Sequence, residues 1–166
     1  MRSLTLIFII PLFASMASVK ASDLSYEAYI DSDKRIKCLY GYAAEKTGNH
    51  AVAIRIFEDC IRRWNDVYSM IGLAQIYETG IGVQRDQAYA TSLMKRGAEL
   101  DDAADYSSLA RYHYGKALYQ GTGTDMNQAE GLHWLRRAAA SGSADAQRFL
   151  HQIETDPSTG KPEAQP

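Results

Sequence analysis

Two stretches of this chain are versions of one another. Residues 73–98 read LAQIYETGIGVQRDQAYATSLMKRGA and residues 114–139 read YGKALYQGTGTDMNQAEGLHWLRRAA. In each, a Gly-x-Gly follows an aromatic helical stretch and precedes a second stretch that closes on a pair of small residues. A lone helical hairpin cannot bury its own apolar face, so a sequence that repeats itself at this scale builds a stacked array of hairpins. The fold class expected is therefore all-α, a right-handed α-solenoid of antiparallel helical hairpins. Arrays of this kind generally bind other proteins.

Apolar spacing at i, i+3, i+4 and i+7 places seven helices. The first spans about 34–46 with Lys37, Tyr40, Gly41 and Ala44 on one face, and after Thr47-Gly48-Asn49 the second spans 50–64. The third, 66–78, starts at the capping types Asn65-Asp66 and ends at Gly80 and Gly82, because glycine enters left-handed backbone cheaply. Asp86 caps a fourth over 87–99. The fifth runs from just after Asp101-Asp102 to Gln120 and is expected to exceed the third by about one turn. The sixth, 127–141, turns Leu132, Trp134, Leu135, Ala138 and Ala139 inward. The seventh, 143–155, turns in Ala146, Phe149, Leu150 and Ile153, leaving Asp145, Arg148, Gln152 and Glu154 on a polar face suited to closing the array.

The flanks carry other information. Arg2, an apolar run from Leu4 to Phe13 and small residues up to Ala21 form the pattern of a secretory signal peptide over residues 1–21. A polar lead-in over 22–33 precedes the repeat domain, 34–155, and residues 156–166 have the composition of a disordered tail. The expected address is the periplasm, with secretion beyond it as the other outcome. Eighteen Lys and Arg face twenty Asp and Glu, and loss of Arg2 and Lys20 with the leader makes the remainder more acidic. That balance argues against a nucleic-acid-binding face. No segment after the leader has the length and apolarity of a membrane span. Cys38 and Cys60 lie almost symmetrically about the Thr47-Gly48-Asn49 turn. Antiparallel helices would bring them to similar heights, so a disulfide clamping the first hairpin is expected, with two buried thiols as the alternative.

The repeated residues resemble Sel-one-like repeats, a branch of the tetratricopeptide-like solenoids. One copy carries Leu73-Ala74, Tyr77, Gly80-Ile81-Gly82-Val83, Asp86, Ala90, Leu93-Met94 and Gly97-Ala98. A second carries Tyr114-Gly115, Gly121-Thr122-Gly123-Thr124, Asn127, Trp134-Leu135, Ala138-Ala139 and Gly142, and Ser143 to Leu150 begin a third. Leu118 stands where the pattern has Tyr, and Gly131 where it has Ala. The first hairpin is closer to a plain tetratricopeptide unit. The resemblance implies a non-enzymatic docking module of the kind used in envelope assembly, secretion, motility or toxin immunity. Cysteine-rich exported members of that family link one repeat to the next, whereas Cys38 and Cys60 fall within one hairpin.

Chemistry is sparse. Ser92-Leu93-Met94-Lys95 and Lys46-Thr47-Gly48 match fragments of β-lactam-directed serine enzymes. Their order is reversed, and Leu93 and Met94 read as core. A cell-wall or β-lactam-directed hydrolase or binder is therefore the alternative reading. His50, His113, His133 and His151 show no ligand spacing, so no metal site, cofactor or catalytic residue is expected. The stronger signal is tyrosine. In the tetratricopeptide-like register the first helix of each pair lines a concave groove, which places Tyr68, Ile71 and Gln75 beside Tyr112, Lys116 and Tyr119 as the partner-binding set. On that reading Tyr112→Ala would weaken partner binding and leave stability almost untouched.

Overall fold

A computed structural model describes residues 25–101 and 105–155. The leader and tail readings therefore lie outside the described residues. A short 3-10 turn, Tyr26–Tyr29, precedes seven α-helices: α1 Lys37–Lys46, α2 His50–Trp64, α3 Val67–Thr79, α4 Gln87–Glu99, α5 Tyr106–Gln120, α6 Gln128–Ala140 and α7 Ala144–Thr155. Each packs on the next in sequence. In addition α1 meets α3 and α3 meets α5, while no comparable contact joins α2 to α4 or α4 to α6 among the described residues. The chain is an α-solenoid whose first helices sit at the inner radius.

The helix starts follow their capping residues. Asn49, Asp66, Asp86 and Asn127 each accept a bond from the backbone amide three residues on, which satisfies a donor the helix leaves orphaned. The loop between paired helices closes the same way in both complete repeats. The Asp86 amide donates to the Tyr77 carbonyl at 3.0 Å and the Asn127 amide to the Leu118 carbonyl at 2.8 Å.

Two expectations need correction. α1 begins at Lys37, because the turn before it is closed by i→i−3 bonds from Lys37, Cys38 and Leu39 to Lys34, Arg35 and Ile36 and is 3-10 in character. The fifth helix is not longer than the third by a turn: α5 has 15 residues against 13 in α3. Most of the extra spacing falls between Glu99 and Tyr106, where Asp105 takes a left-handed φ of 59°.

The second glycine of each Gly-x-Gly does more than end a helix. Gly82 and Gly123 have φ of 77° and 66°, a region open to glycine at little cost. A Cβ on Gly82 would also lie 2.9 Å from His50 Cβ, and one on Gly123 would lie 2.2 Å from the Gln87 carbonyl oxygen. His50 and Gln87 open α2 and α4, so these loops are where each hairpin seats on the one before. The departure at Gly131 has a similar cause. Its missing side chain lets α6 approach α5 until a Cβ there would stand 2.8 Å from the Gly115 carbonyl oxygen.

The core is continuous through the first two and a half hairpins, built on Ile56, Phe57, Met70, Leu73 and their neighbours, with Tyr119, Leu135 and Phe149 as a second cluster. The Phe57 ring is held between α1 and α3, where a Cβ on Gly41 or on Gly72 would come within 2.7 Å of it. Cys38 and Cys60 are disulfide-bonded, their Cα atoms 6.0 Å apart, so the first hairpin is clamped. Lys37 is completely buried. Its Nζ donates to the Ile30 carbonyl at 2.9 Å and pairs with Asp59, which also holds Arg62 and Arg63. Periodicity places Lys37 on the apolar face of its helix; the Asp59 carboxylate together with the Ile30 carbonyl makes the burial of its charge tolerable.

Candidate functional site

The inner face is built by the first helices α1, α3 and α5, with α7 following them as the first helix of an unfinished repeat. A row of tyrosines crosses three of these helices. Tyr42 of α1 lies 5.9 Å from Tyr68 of α3, ring centroid to ring centroid, and Tyr68 lies 5.1 Å from Tyr106 of α5. Tyr42 and Tyr106 are exposed, and Tyr68 between them is half-buried. Burial first, then the neighbouring Tyr42 and Tyr106, pushes the Tyr68 phenol up to about 12, so it is a neutral hydroxyl at any ordinary pH. The Lys46 ammonium stands 5.1 Å above the Tyr42 ring. Leu39 of the same helix and Ile36 just before it are also exposed.

The second feature is a pocket of about 340 Å³ between α5 and α7, lined by Tyr112, Lys116, Gln120, Asp145, Arg148, Phe149 and Gln152. Phe149 organises it. Its ring meets Tyr112 at 6.5 Å and Tyr119 at 6.0 Å, and lies 5.8 Å beneath the Lys116 ammonium. Burial, then the Asp145 carboxylate, raises the Tyr112 phenol. Beside it, burial lowers His113, with Glu78 and Asp145 opposing that shift and Lys116 adding to it.

The six residues expected to form one groove therefore separate. Tyr68 belongs to the tyrosine row, and Gln75 is exposed on α3. Tyr112, Lys116 and Tyr119 converge on Phe149. Ile71 and Tyr119, only 5% and 6% exposed, contribute to the core and present almost no surface. Tyr112 is half-buried against Phe149, so Tyr112→Ala would cost stability as well as contact, and Tyr112→Phe is the cleaner probe of its hydroxyl. Tyr42 and Tyr106 lie outside the set expected from the sequence. Both are aromatics on the outward side of their helices, which is the one signal that could have marked them. Asp145, Arg148 and Gln152, expected on a closing face, wall the pocket with α5 instead.

The two enzyme-like fragments are used to build helices. Ser92 Oγ donates to the Tyr89 carbonyl at 2.7 Å, Leu93 and Met94 are core, and Thr47 Oγ1 donates to the Ala43 carbonyl at the end of α1. Among the described residues no group of three or more His, Cys, Asp or Glu is placed to hold a metal ion, and no helix is long and apolar enough to cross a membrane.

Comparison with known proteins adds one match. The Sel1 repeat family is matched at residues 67–102 and again at 108–143. The first match takes in α3 and α4 and the second takes in α6 with all but the first two residues of α5. No curated protein and no solved structure matches the chain.

Proposed function

The two matched segments make this a Sel1 repeat protein, and on that premise we propose that it is an exported, non-catalytic docking module that holds a segment of a partner protein along α1, α3, α5 and α7. Sel1 repeats are generally protein–protein interaction modules and typically not enzymes. The observation that carries the reading is the row Tyr42–Tyr68–Tyr106. Tyrosines offer large contact area with few torsions to freeze, and they are enriched where proteins recognise one another. Export is supported by the leader pattern of residues 1–21 and by the Cys38–Cys60 disulfide, a bond that persists in oxidising compartments. The role fits an envelope assembly, secretion or motility complex, or neutralisation of a toxin.

The test is crosslinking capture from the native envelope fraction with the wild-type chain and with Tyr42→Ala. Tyr42 is 46% exposed, so its truncation should leave the melting temperature nearly unchanged. The expected result is one dominant protein, held by the wild type and reduced severalfold by the variant. Equal capture by both, or retention of cell-wall glycan in place of protein, would overturn the docking face. Fractionation of the native host tests export separately, by whether the protein is released with the periplasmic contents.

A further inference from the structure

We propose that the pocket between α5 and α7 receives an acidic side chain, Glu or Asp, of the bound polypeptide, with its carboxylate between Lys116 and Arg148. The proposal rests on the protein-docking reading and gives the partner a chemistry. Two cations, Lys116 and Arg148, face the pocket against one carboxylate, Asp145. That carboxylate is already committed to Arg148, three residues along the same helix. A guanidinium carries five N–H donors, so Arg148 keeps several after this pairing. Lys116 has no ion-pair partner among the described residues, and its ammonium is held over the Phe149 ring instead.

The remaining polar groups point the same way. The Tyr112 phenol stays protonated, since burial raises it, and it offers a hydroxyl donor. Gln120 and Gln152 each add an amide that can donate. A cavity rich in donors, with one excess positive charge and an aromatic floor, suits a carboxylate with methylene groups behind it. The oxygens meet Lys116 and Arg148 while the stem lies on Phe149 and Tyr112. Its volume of about 340 Å³ has room for such a side chain. A nucleic acid would meet a chain with more acidic than basic residues, which disfavours it against a short acidic peptide. The pocket also lies on the face where α7 continues the series α1, α3 and α5, so an extended segment crossing the tyrosine row can reach it.

The experiment titrates isotope-labelled protein with an acetylated, amidated tetraglutamate peptide at low salt, following backbone amide shifts. Tetraglutamine peptide and sodium acetate are the comparisons. Saturable shifts at Lys116, Arg148 and Phe149 are expected with tetraglutamate and not with tetraglutamine. Lys116→Gln should weaken binding about three- to tenfold, the range for a charged hydrogen bond at a part-exposed site. Lys116→Arg should restore most of it, and Lys95→Gln, on the exposed side of α4, should have no effect. Absence of tetraglutamate shifts at the pocket, or equal affinity in Lys116→Gln, overturns the proposal. Acetate binding as tightly as the peptide also overturns it, since the site would then be a general small-anion site. Each of these failures leaves the docking face standing if Tyr42→Ala still reduces partner capture.

Discussion

Replacing Gly131 with alanine sets two effects of opposite sign against each other. Gly131 lies inside α6, where alanine is favoured over glycine by about 1 kcal/mol in helix propensity. Propensity alone predicts a more stable protein. The structure predicts the reverse. An added Cβ would stand 2.8 Å from the Gly115 carbonyl oxygen and 2.8 Å from the Tyr119 amide nitrogen, against an ordinary contact of about 3.5 Å. The helices must part by roughly 0.7 Å where they are closest. Overpacking typically costs about 1–3 kcal/mol, and the upper end applies because both clashing atoms are main-chain and cannot rotate away. The net expectation is a loss of about 1–2 kcal/mol. With a urea m-value of about 2 kcal/mol/M, the midpoint should fall by roughly 0.5–1 M.

The assay is urea unfolding followed by far-ultraviolet circular dichroism and by fluorescence. Trp134 sits in α6 with its ring 5.6 Å from that of Tyr114 in α5, so it reports the docking of those two helices. Gly115→Ala, whose Cβ would approach the Gly131 carbonyl at 3.0 Å, supplies the second half of a cycle. Once the helices have moved apart for one methyl group, the second should cost less than it does alone. An unchanged or raised midpoint in Gly131→Ala would refute the reasoning, because it would mean that close approach is not what places glycine there.

Other outcomes follow from the same geometry. Gly123→Ala should cost about 3 kcal/mol or more in a urea titration, combining a left-handed alanine with overpacking against Gln87; Gly142→Ala, at φ 90° with open space around it, should show only the conformational part, about 1–2 kcal/mol. Reduction of Cys38–Cys60, which closes a loop of 22 residues, should remove about 3 kcal/mol and lower the melting temperature by roughly 10 °C, and an unchanged melting curve in dithiothreitol would contradict the clamp. Burial holds the folded-state His113 below its ordinary value of 6.5, so the unfolded chain takes up protons there first as pH falls. The stability His113 contributes should be complete above 6.5 and be lost as pH drops through its folded value. His113→Asn should flatten that part of a stability-against-pH profile, and an unaltered slope would count against it.

How much of this was legible in the residues can be argued element by element. The spans 50–64 and 87–99 are found unchanged as α2 and α4, because their caps, Asn49 and Asp86, and their apolar stripes are local signals. The near-equal spacing of Cys38 and Cys60 about a single turn points to the disulfide, and the folded hairpin carries it. The site was less legible. Ile71 and Tyr119 share helical faces with Tyr68 and Tyr112, yet each is in the core. Periodicity resolves a helix into an apolar side and a polar side. A first helix of a solenoid has its own hairpin partner, a neighbour before it and a neighbour after it, so only one narrow strip reaches solvent.

By itself the sequence determined what local chemistry determines: where helices begin and end, which glycines interrupt them, and the repeat that requires hairpins to stack. Tertiary structure decided everything that depends on which surfaces meet. It buried the Lys37 charge against Asp59 and required glycine at Gly123 through a helix start from the preceding hairpin. It also turned Asp145, Arg148 and Gln152 from an outer face into the wall of a pocket. The reason is one of range. Caps, turns and periodicity act within a few residues along the chain, whereas burial and charge balance are set by neighbours tens of residues away in sequence.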